Sequence, residues 1–113
     1  MHEMSLAEGV RDLIEKEARR NRSQHVREIE LEIGQLASVD VDALRFALDI
    51  ALRDSVADGS VVTIHEPPGH AWCMKCERTV ELKRRGDGCP LCGGYQLAVT
   101  DGEQMCVTGM IVD

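Results

Sequence analysis

The first forty residues show two different periodicities of apolar positions. Between residues 5 and 21 the apolar side chains recur at steps of three and four, which predicts an amphipathic helix. Ser5 and Glu8 have the spacing of a capping box and mark its start. Residues 28–33 instead alternate Glu with Ile or Leu, the pattern of a strand with one buried and one exposed face.

Three further elements follow along the chain. Asp40 can cap a second helix, because its carboxylate is suited to accept a hydrogen bond from a free backbone amide. The apolar stripe of that helix lies within residues 44–51. Residues 61–66 and about 105–112 are strand-like, and we expect the last strand to return to the first sheet.

A Pro67-Pro68-Gly69 sequence interrupts this pattern and indicates a domain boundary. The following segment is poor in large apolar residues and rich in cysteine, so a metal would have to hold it together. The chain is therefore predicted to be α+β. One core comprises residues 1–68 and 101–113, and an inserted metal-binding domain spans residues 69–100.

The inserted segment contains two CxxC pairs. Cys73 and Cys76 form the first pair, and Cys89 and Cys92 form the second after a gap of twelve residues. Each CxxC turn can offer two sulfurs to a tetrahedral ion, so two turns fill all four positions and leave none for a substrate. The spacing therefore predicts a closed, structural zinc site.

Two alternatives to zinc remain at this point. Two disulfides or free core thiols are disfavoured, because paired cysteines in a reducing cytosol are more often metal ligands. Iron in a rubredoxin-like site is the main metal alternative, since thiolates suit both metals and spacing alone does not decide. A rubredoxin-like electron carrier would be coloured, which the zinc protein would not be.

Composition and charge exclude several classes of function. The formal charge of −7 opposes a zinc-ribbon module that binds nucleic acid. No apolar run is long enough for a transmembrane helix and no secretory signal is visible, so we expect a cytoplasmic protein that does not meet a membrane.

Neither a phosphate-binding GxxxxGK[ST] loop nor a nucleophile–base motif is present, so we expect a non-enzyme. Aromatic residues make up 3% of the chain, so its core must be aliphatic.

The amino terminus offers a second metal-binding arrangement. The amine of Met1 and the amide and imidazole nitrogens of His2 can close two fused chelate rings on one ion. The Glu3 carboxylate or the next backbone nitrogen could supply a fourth ligand. Planar nitrogen ligation favours Ni(II) or Cu(II) over Zn(II). Taken alone the signal is weak, because a His near a terminus is usually only solvated.

Several short motifs occur together in one order along the chain. They are the start Met1-His2-Glu3-Met4-Ser5-Leu6, the stretch Leu31-Glu32-Ile33-Gly34-Gln35-Leu36, the segment Leu44-Arg45-Phe46-Ala47, Ala71-Trp72 before the first cysteine, the two cysteine pairs, and Gly102-Glu103 before the last apolar strand. In this combination the chain resembles the HypA/HybF family of hydrogenase nickel-incorporation proteins along essentially its whole length.

The resemblance implies a two-part protein. A three-stranded sheet with two helices would carry Ni(II) at the terminal Met-His-Glu, and an inserted domain would hold structural zinc. By this resemblance His2 is a nickel ligand, Glu3 lies nearby, and Asp40 is a weaker candidate whose role as a helix cap is at least as well supported. His70 is not expected to bind zinc, because four thiols are already available.

The resemblance also implies partners. Family members pass nickel to the precursor of the [NiFe]-hydrogenase large subunit together with a GTPase metallochaperone, and some serve urease. The recipient enzyme, the role of Cys106 and pairing with a second copy of the chain stay open.

Overall fold

The computed structural model describes residues 3–113, so Met1 and His2 lie outside the described residues. These residues contain two helices and six strands, and the strands form two three-stranded sheets, with strand orders β2-β1-β6 and β4-β3-β5. Neither helix within residues 3–113 is long and apolar enough to cross a membrane. The elements are α1 (Glu3–Arg20), β1 (Val26–Ile33), α2 (Val41–Ala51), β2 (Val61–His65), β3 (Gly69–Cys73), β4 (Arg78–Leu82), β5 (Leu97–Asp101) and β6 (Met105–Val112).

The expected order of helices and strands is confirmed, including the return of the last strand to the first sheet beside β1. One local prediction was wrong. Ser5 does not cap α1, because the helix is already formed at Glu3 and Ser5 lies inside its first turns. Asp40 does cap α2, since its Oδ1 accepts a hydrogen bond of 3.1 Å from the backbone amide of Ala43.

The chain divides into two compact units. The first, which we call the helical unit, contains the described residues 3–31, 39–64 and 107–113. The helices pack together through side chains spaced three and four residues apart, so each contributes one apolar stripe to a common core. The buried side chains of this core are Ala7, Val10, Ile14 and Ala18 from α1, Leu44, Ala47, Leu48 and Ala51 from α2, and Val26, Ile29 and Leu31 from β1.

The second unit, which we call the cysteine unit, comprises residues 32–38 and 65–106. In its sheet the central strand β3 pairs antiparallel with β4 and β5. Leu36 is only 1% exposed and packs with Ala71, Leu82 and Leu97. A residue from before the second helix therefore helps to build the core of this unit. The sequence-based domain boundaries at residues 69 and 100 stay a prediction, because compactness does not test independent folding.

Three glycines allow the chain segments of the cysteine unit to approach closely. A Cβ atom added at Gly34 would lie less than 3.0 Å from the carbonyl of Gly102, and one added at Gly69 would lie equally close to the side chain of Leu36. Gly102 also has a φ of +97°, which L-residues rarely adopt. Glycine is therefore required at this crossing for steric reasons.

Candidate metal centre

The two CxxC pairs adopt the same turn. In the first, the amide of Glu77 donates to the carbonyl of Cys73 at 2.8 Å. In the second, the amide of Gly93 donates to the carbonyl of Cys89 at 2.7 Å. The residue after each pair has a positive φ, 51° at Glu77 and 74° at Gly93. This left-handed residue reverses the chain, so both sulfurs of a pair point to the same side.

Backbone amides also point at the sulfurs. The amides of Cys76, Leu91 and Gly94 each lie 3.4 Å from a cysteine Sγ, and they approach the sulfurs of Cys73, Cys89 and Cys92 respectively. Such donors stabilise negative charge on sulfur, and a thiolate is the form that binds a metal.

The geometry of the four sulfurs fits a tetrahedral metal ion. The Sγ atoms of Cys73 and Cys92 lie 3.7 Å apart, those of Cys76 and Cys89 lie 3.9 Å apart, and all four lie within 4.8 Å of one another. A tetrahedron with Zn–S bonds of ~2.3 Å has edges of about 3.8 Å. These separations are far longer than a disulfide bond, and the cysteines are free thiols. The donor set is therefore compatible with a closed zinc site.

The thiols perturb one another's protonation. The pKa of Cys89 is lowered to about 7, mainly by a hydrogen bond from the backbone amide of Cys92. A hydrogen bond with the Cys92 side chain is the main cause that raises the pKa of Cys76 to about 12. Four thiolates this close together would repel one another. A divalent cation would remove that repulsion, which is why such a cluster favours metal over protons.

The cluster packs against apolar side chains of the cysteine unit. Cys73 and Cys89 are buried, and Val80 and Leu97 lie against them. Leu97 also packs against Leu36, so the cysteine cluster and the apolar core around Leu36 share a side chain. Sequence patterns missed this supporting role of Leu36. The only signal was a Leu just after Gly34, beyond the end of the first strand.

His70 does not join the cluster. Its Nδ1 lies 2.8 Å from Oδ1 of Asp101, a residue of the neighbouring strand. Among residues 3–113, the four cysteines are the only group of three or more potential ligands close enough to hold one ion. Cys106 is exposed and stands outside it, with its Sγ 3.9 Å from Oε2 of Glu32.

The second candidate site is the Met1-His2-Glu3 sequence, of which the structure describes only Glu3. His2 falls outside the described residues, whereas Glu3 is the first residue of the helix. Oε2 of Glu3 lies 3.5 Å from the backbone amide of Asp40, which places this carboxylate beside the residue that caps α2. Glu3 and Asp40, 37 positions apart in sequence, therefore meet where both helices begin.

Comparisons with known proteins agree with this architecture. The family described as "Hydrogenase/urease nickel incorporation, metallochaperone, hypA" matches residues 1–112. The hydrogenase maturation factor HypA of Azoarcus sp. strain BH72 is 55% identical over 107 residues, which cover 95% of this chain and 94% of that protein. The HypA of Alkalilimnicola ehrlichii is 45% identical over the full length of both chains.

Solved structures show the same fold. The solution structure of the Ni metallochaperone HypA from Helicobacter pylori matches with a TM-score of 0.70 and 19% identity, over 99% of this chain and 97% of that one. A second solution structure of a HypA protein matches with a TM-score of 0.69. The family match over nearly the whole chain and the full-length relatives lead to one conclusion: this chain belongs to the HypA family of hydrogenase/urease nickel-incorporation metallochaperones.

Proposed function

We propose that this chain binds Ni(II) through the amine of Met1, the imidazole of His2 and the carboxylate of Glu3, and that it delivers the ion for maturation of [NiFe]-hydrogenase. The observation that carries the proposal is membership of the nickel-incorporation family over residues 1–112. The family is one of metallochaperones and maturation factors rather than catalysts, so the expectation of a non-enzyme is confirmed.

The structure supports a role for Glu3 next to the terminal chelate. Helix α1 begins at Glu3, the residue that follows the proposed nitrogen ligands in the sequence, and the Glu3 carboxylate lies beside Asp40. A carboxylate in this place can complete the coordination of a cation held by the terminal nitrogens. The Asp40 carboxylate already accepts from the amide of Ala43, so its primary role is to cap α2.

The second part of the proposal assigns Cys73, Cys76, Cys89 and Cys92 to a structural zinc ion. The sulfurs have tetrahedral separations and leave no open coordination position. Zinc would join the two CxxC turns and so stabilise a unit whose apolar core is small. The two sites would then have different roles: the thiolate site holds shape, and the terminal site releases its ion.

The third part concerns partners. The sequence has no nucleotide-binding loop, so any energy for delivery must come from a separate protein, and we assign this role to a GTPase nickel chaperone. The recipient would be the precursor of the hydrogenase large subunit in the cytoplasm, and urease maturation is a second candidate use because the family description includes urease.

Nickel titration of the untagged protein tests the terminal site. His2→Ala should abolish tight Ni(II) binding while zinc content stays near one ion per chain, and blocking the terminal amine with an added tag should have the same effect. Glu3→Gln should weaken binding less, because the nitrogen ligands remain. His25→Ala is the matched control, since His25 instead pairs with Asp113. Equal nickel affinity in wild type and His2→Ala would refute the assignment.

Metal analysis tests the thiolate site separately. Cys73→Ser or Cys92→Ser should lose zinc and the order of the cysteine unit, whereas Cys106→Ser should keep full zinc because its sulfur lies outside the cluster. Iron in the purified wild-type protein would contradict the zinc assignment. In a strain that lacks this protein, hydrogenase activity should fall, wild type should restore it, and excess nickel should restore it in part.

A further inference from the structure

Strand β6 forms one edge of the β2-β1-β6 sheet and has an unusual composition for that place. It pairs with β1 on one side, and no other strand of the described chain pairs with it. Its eight residues, Met105–Val112, include no charged residue and no proline. Although most of its side chains are apolar, none is buried, and Ile111 is 45% exposed.

An edge of this kind is a template for another strand. Natural proteins usually protect a free edge with lysine, proline, a short strand or a covering element, because unpaired backbone groups attract further strands. The opposite edge strand, β2, is only five residues long. β6 has neither a charge nor a proline to prevent pairing, and extended segments commonly bind by adding to such an edge.

A recess flanks β6 on each side of the sheet within the helical unit. The first recess, between β6 and α1, has a volume of about 420 Å³ and is largely apolar, with Leu13 42% exposed in it. The second recess, of about 240 Å³, lies beside Met110 and Ile111, and Glu28, Glu30 and Thr63 line it as well. Side chains of an added strand would alternate between these two environments.

The charges around the two recesses indicate which segment would fit. The described residues that line the first recess include Glu17, and those that line the second include Glu28 and Glu30, but no Lys, Arg or His lines either one. Glu17 already forms an ion pair with Arg20. The negative charge that would select a partner is therefore in the second recess, at Glu28. The backbone at Glu28 in β1 would lie two strand spacings, about 10 Å, from an added strand. A Lys or Arg side chain of the added strand and the Glu28 side chain are together long enough to span that distance.

We propose that β6 is a docking edge that takes an extended segment of a partner protein as a fourth strand. Apolar side chains of that segment would face Leu13 and Val107, and Lys or Arg side chains would face Glu28. A second copy of this chain fits less well, since it would bring together two proteins of charge −7 through a strand that carries no cation. The docking edge shares no residue with either candidate metal site, so its test does not depend on the nickel assignment.

Peptide titration of the zinc-loaded, full-length protein tests the docking edge. The probe is a blocked peptide in which Lys alternates with Val, and the readout is calorimetric affinity together with amide chemical shifts. Binding should shift the amides of β6 and weaken as salt rises. Two matched peptides should bind at least tenfold more weakly. One has Glu in place of Lys, and the other is N-methylated at the amides that would form hydrogen bonds with β6.

Two pairs of variants make the test specific. Ile111→Lys puts a cation on the docking edge and should weaken peptide binding roughly fivefold or more. Val61→Lys places the same charge on the exposed opposite edge, with Val61 59% exposed, and should bind like wild type. Glu28→Gln should weaken binding and reduce its salt dependence, whereas Glu8→Gln, an exposed change on α1, should do neither.

Several outcomes would overturn the proposal. They are equal binding of the N-methylated peptide, shifts confined to residues away from β6, and no effect of Ile111→Lys. Sedimentation that shows a dimer of the wild type and a monomer of Ile111→Lys would also overturn it, because the occupant would then be a second copy of the chain. All four variants change exposed or half-exposed side chains, so unchanged zinc content and circular dichroism serve as the check on folding.

Discussion

The packing of Leu36 makes a quantitative prediction about the cysteine unit. Leu36 is 1% exposed, and its side chain lies where a Cβ on Gly69 would otherwise sit. Leu36→Ala removes these atoms and leaves a cavity bordered by glycine backbone, which cannot move in to fill it as a side chain could. We expect a loss of about 3 kcal/mol in the stability of the unit, within the usual range for buried Leu→Ala changes.

Gly69→Ala should also destabilise the unit, but for the opposite reason. The three atoms nearest to the added Cβ all belong to the Leu36 side chain, two of them closer than 3.0 Å. Leu36 must therefore shift, at a cost of roughly 1–3 kcal/mol. In the double variant the clashing atoms are gone and the new methyl group fills part of the cavity. The double variant should therefore be more stable than the sum of the single changes predicts, by at least ~2 kcal/mol.

Zinc transfer to a competing chelator measures this effect, because metal binding and folding of the unit are linked. The core around Leu36 and the cysteine cluster share Leu97, so a loss of about 3 kcal/mol should lower zinc affinity by roughly 100-fold in Leu36→Ala. Hydrogen exchange of the β3 amides gives a second readout. The control is Leu44→Ala in the helical unit, whose effect should simply add to that of Gly69→Ala. Strict additivity of Leu36→Ala and Gly69→Ala would refute the packing argument.

Three further predictions follow from local geometry. Gly93→Ala should lower the free energy of unfolding by about 1 kcal/mol, because the φ of Gly93 is +74°, although no atom blocks the added Cβ. Glu77→Gly, at the equivalent position of the other turn, should be neutral or stabilising. Denaturant unfolding of both variants checks this. Arg85→Ala should lower the free energy of unfolding by roughly 0.5–1 kcal/mol, since the Arg85 Nε donates a 2.8 Å hydrogen bond to a backbone carbonyl. The control Arg84→Ala should leave it unchanged in the same measurement. Asp40→Ala should lower the free energy of unfolding by about 1 kcal/mol because it removes the cap of α2, whereas Asp40→Asn should keep the cap. A loss of nickel affinity in the Asn variant would therefore assign the carboxylate a role in binding nickel.

Periodicity identified the helical unit well because each of its elements buries one face. The alternation of residues 28–33 is that of a central strand with helices on one side, and its Ile and Leu residues are buried while the Glu residues are not. The start of α1 was misplaced because Ser5 and Glu8 have capping-box spacing inside a helix that begins earlier. A spacing rule identifies a favourable cap but does not show that the chain uses it.

The cysteine unit was harder to predict because its strands are short and its core is assembled from distant segments. The four cysteines were identified by spacing alone, and their sulfurs do meet. The contribution of Leu36 depends on three glycines at the crossing of separate chain segments, and no sequence period records such a contact. Likewise, Glu3 and Asp40 meet only because the two helices begin side by side.

The aliphatic core has a practical consequence for spectroscopy. The chain has one Phe, one Trp and one Tyr, and all three are exposed: Phe46 by 70%, Trp72 by 43% and Tyr95 by 76%. Trp72 lies in β3 immediately before Cys73, whereas both helices belong to the helical unit. Tryptophan emission therefore reports on the cysteine unit alone and far-ultraviolet ellipticity mainly on the helical unit. A single melt followed by both signals would show whether the two units of this small protein unfold together or one after the other.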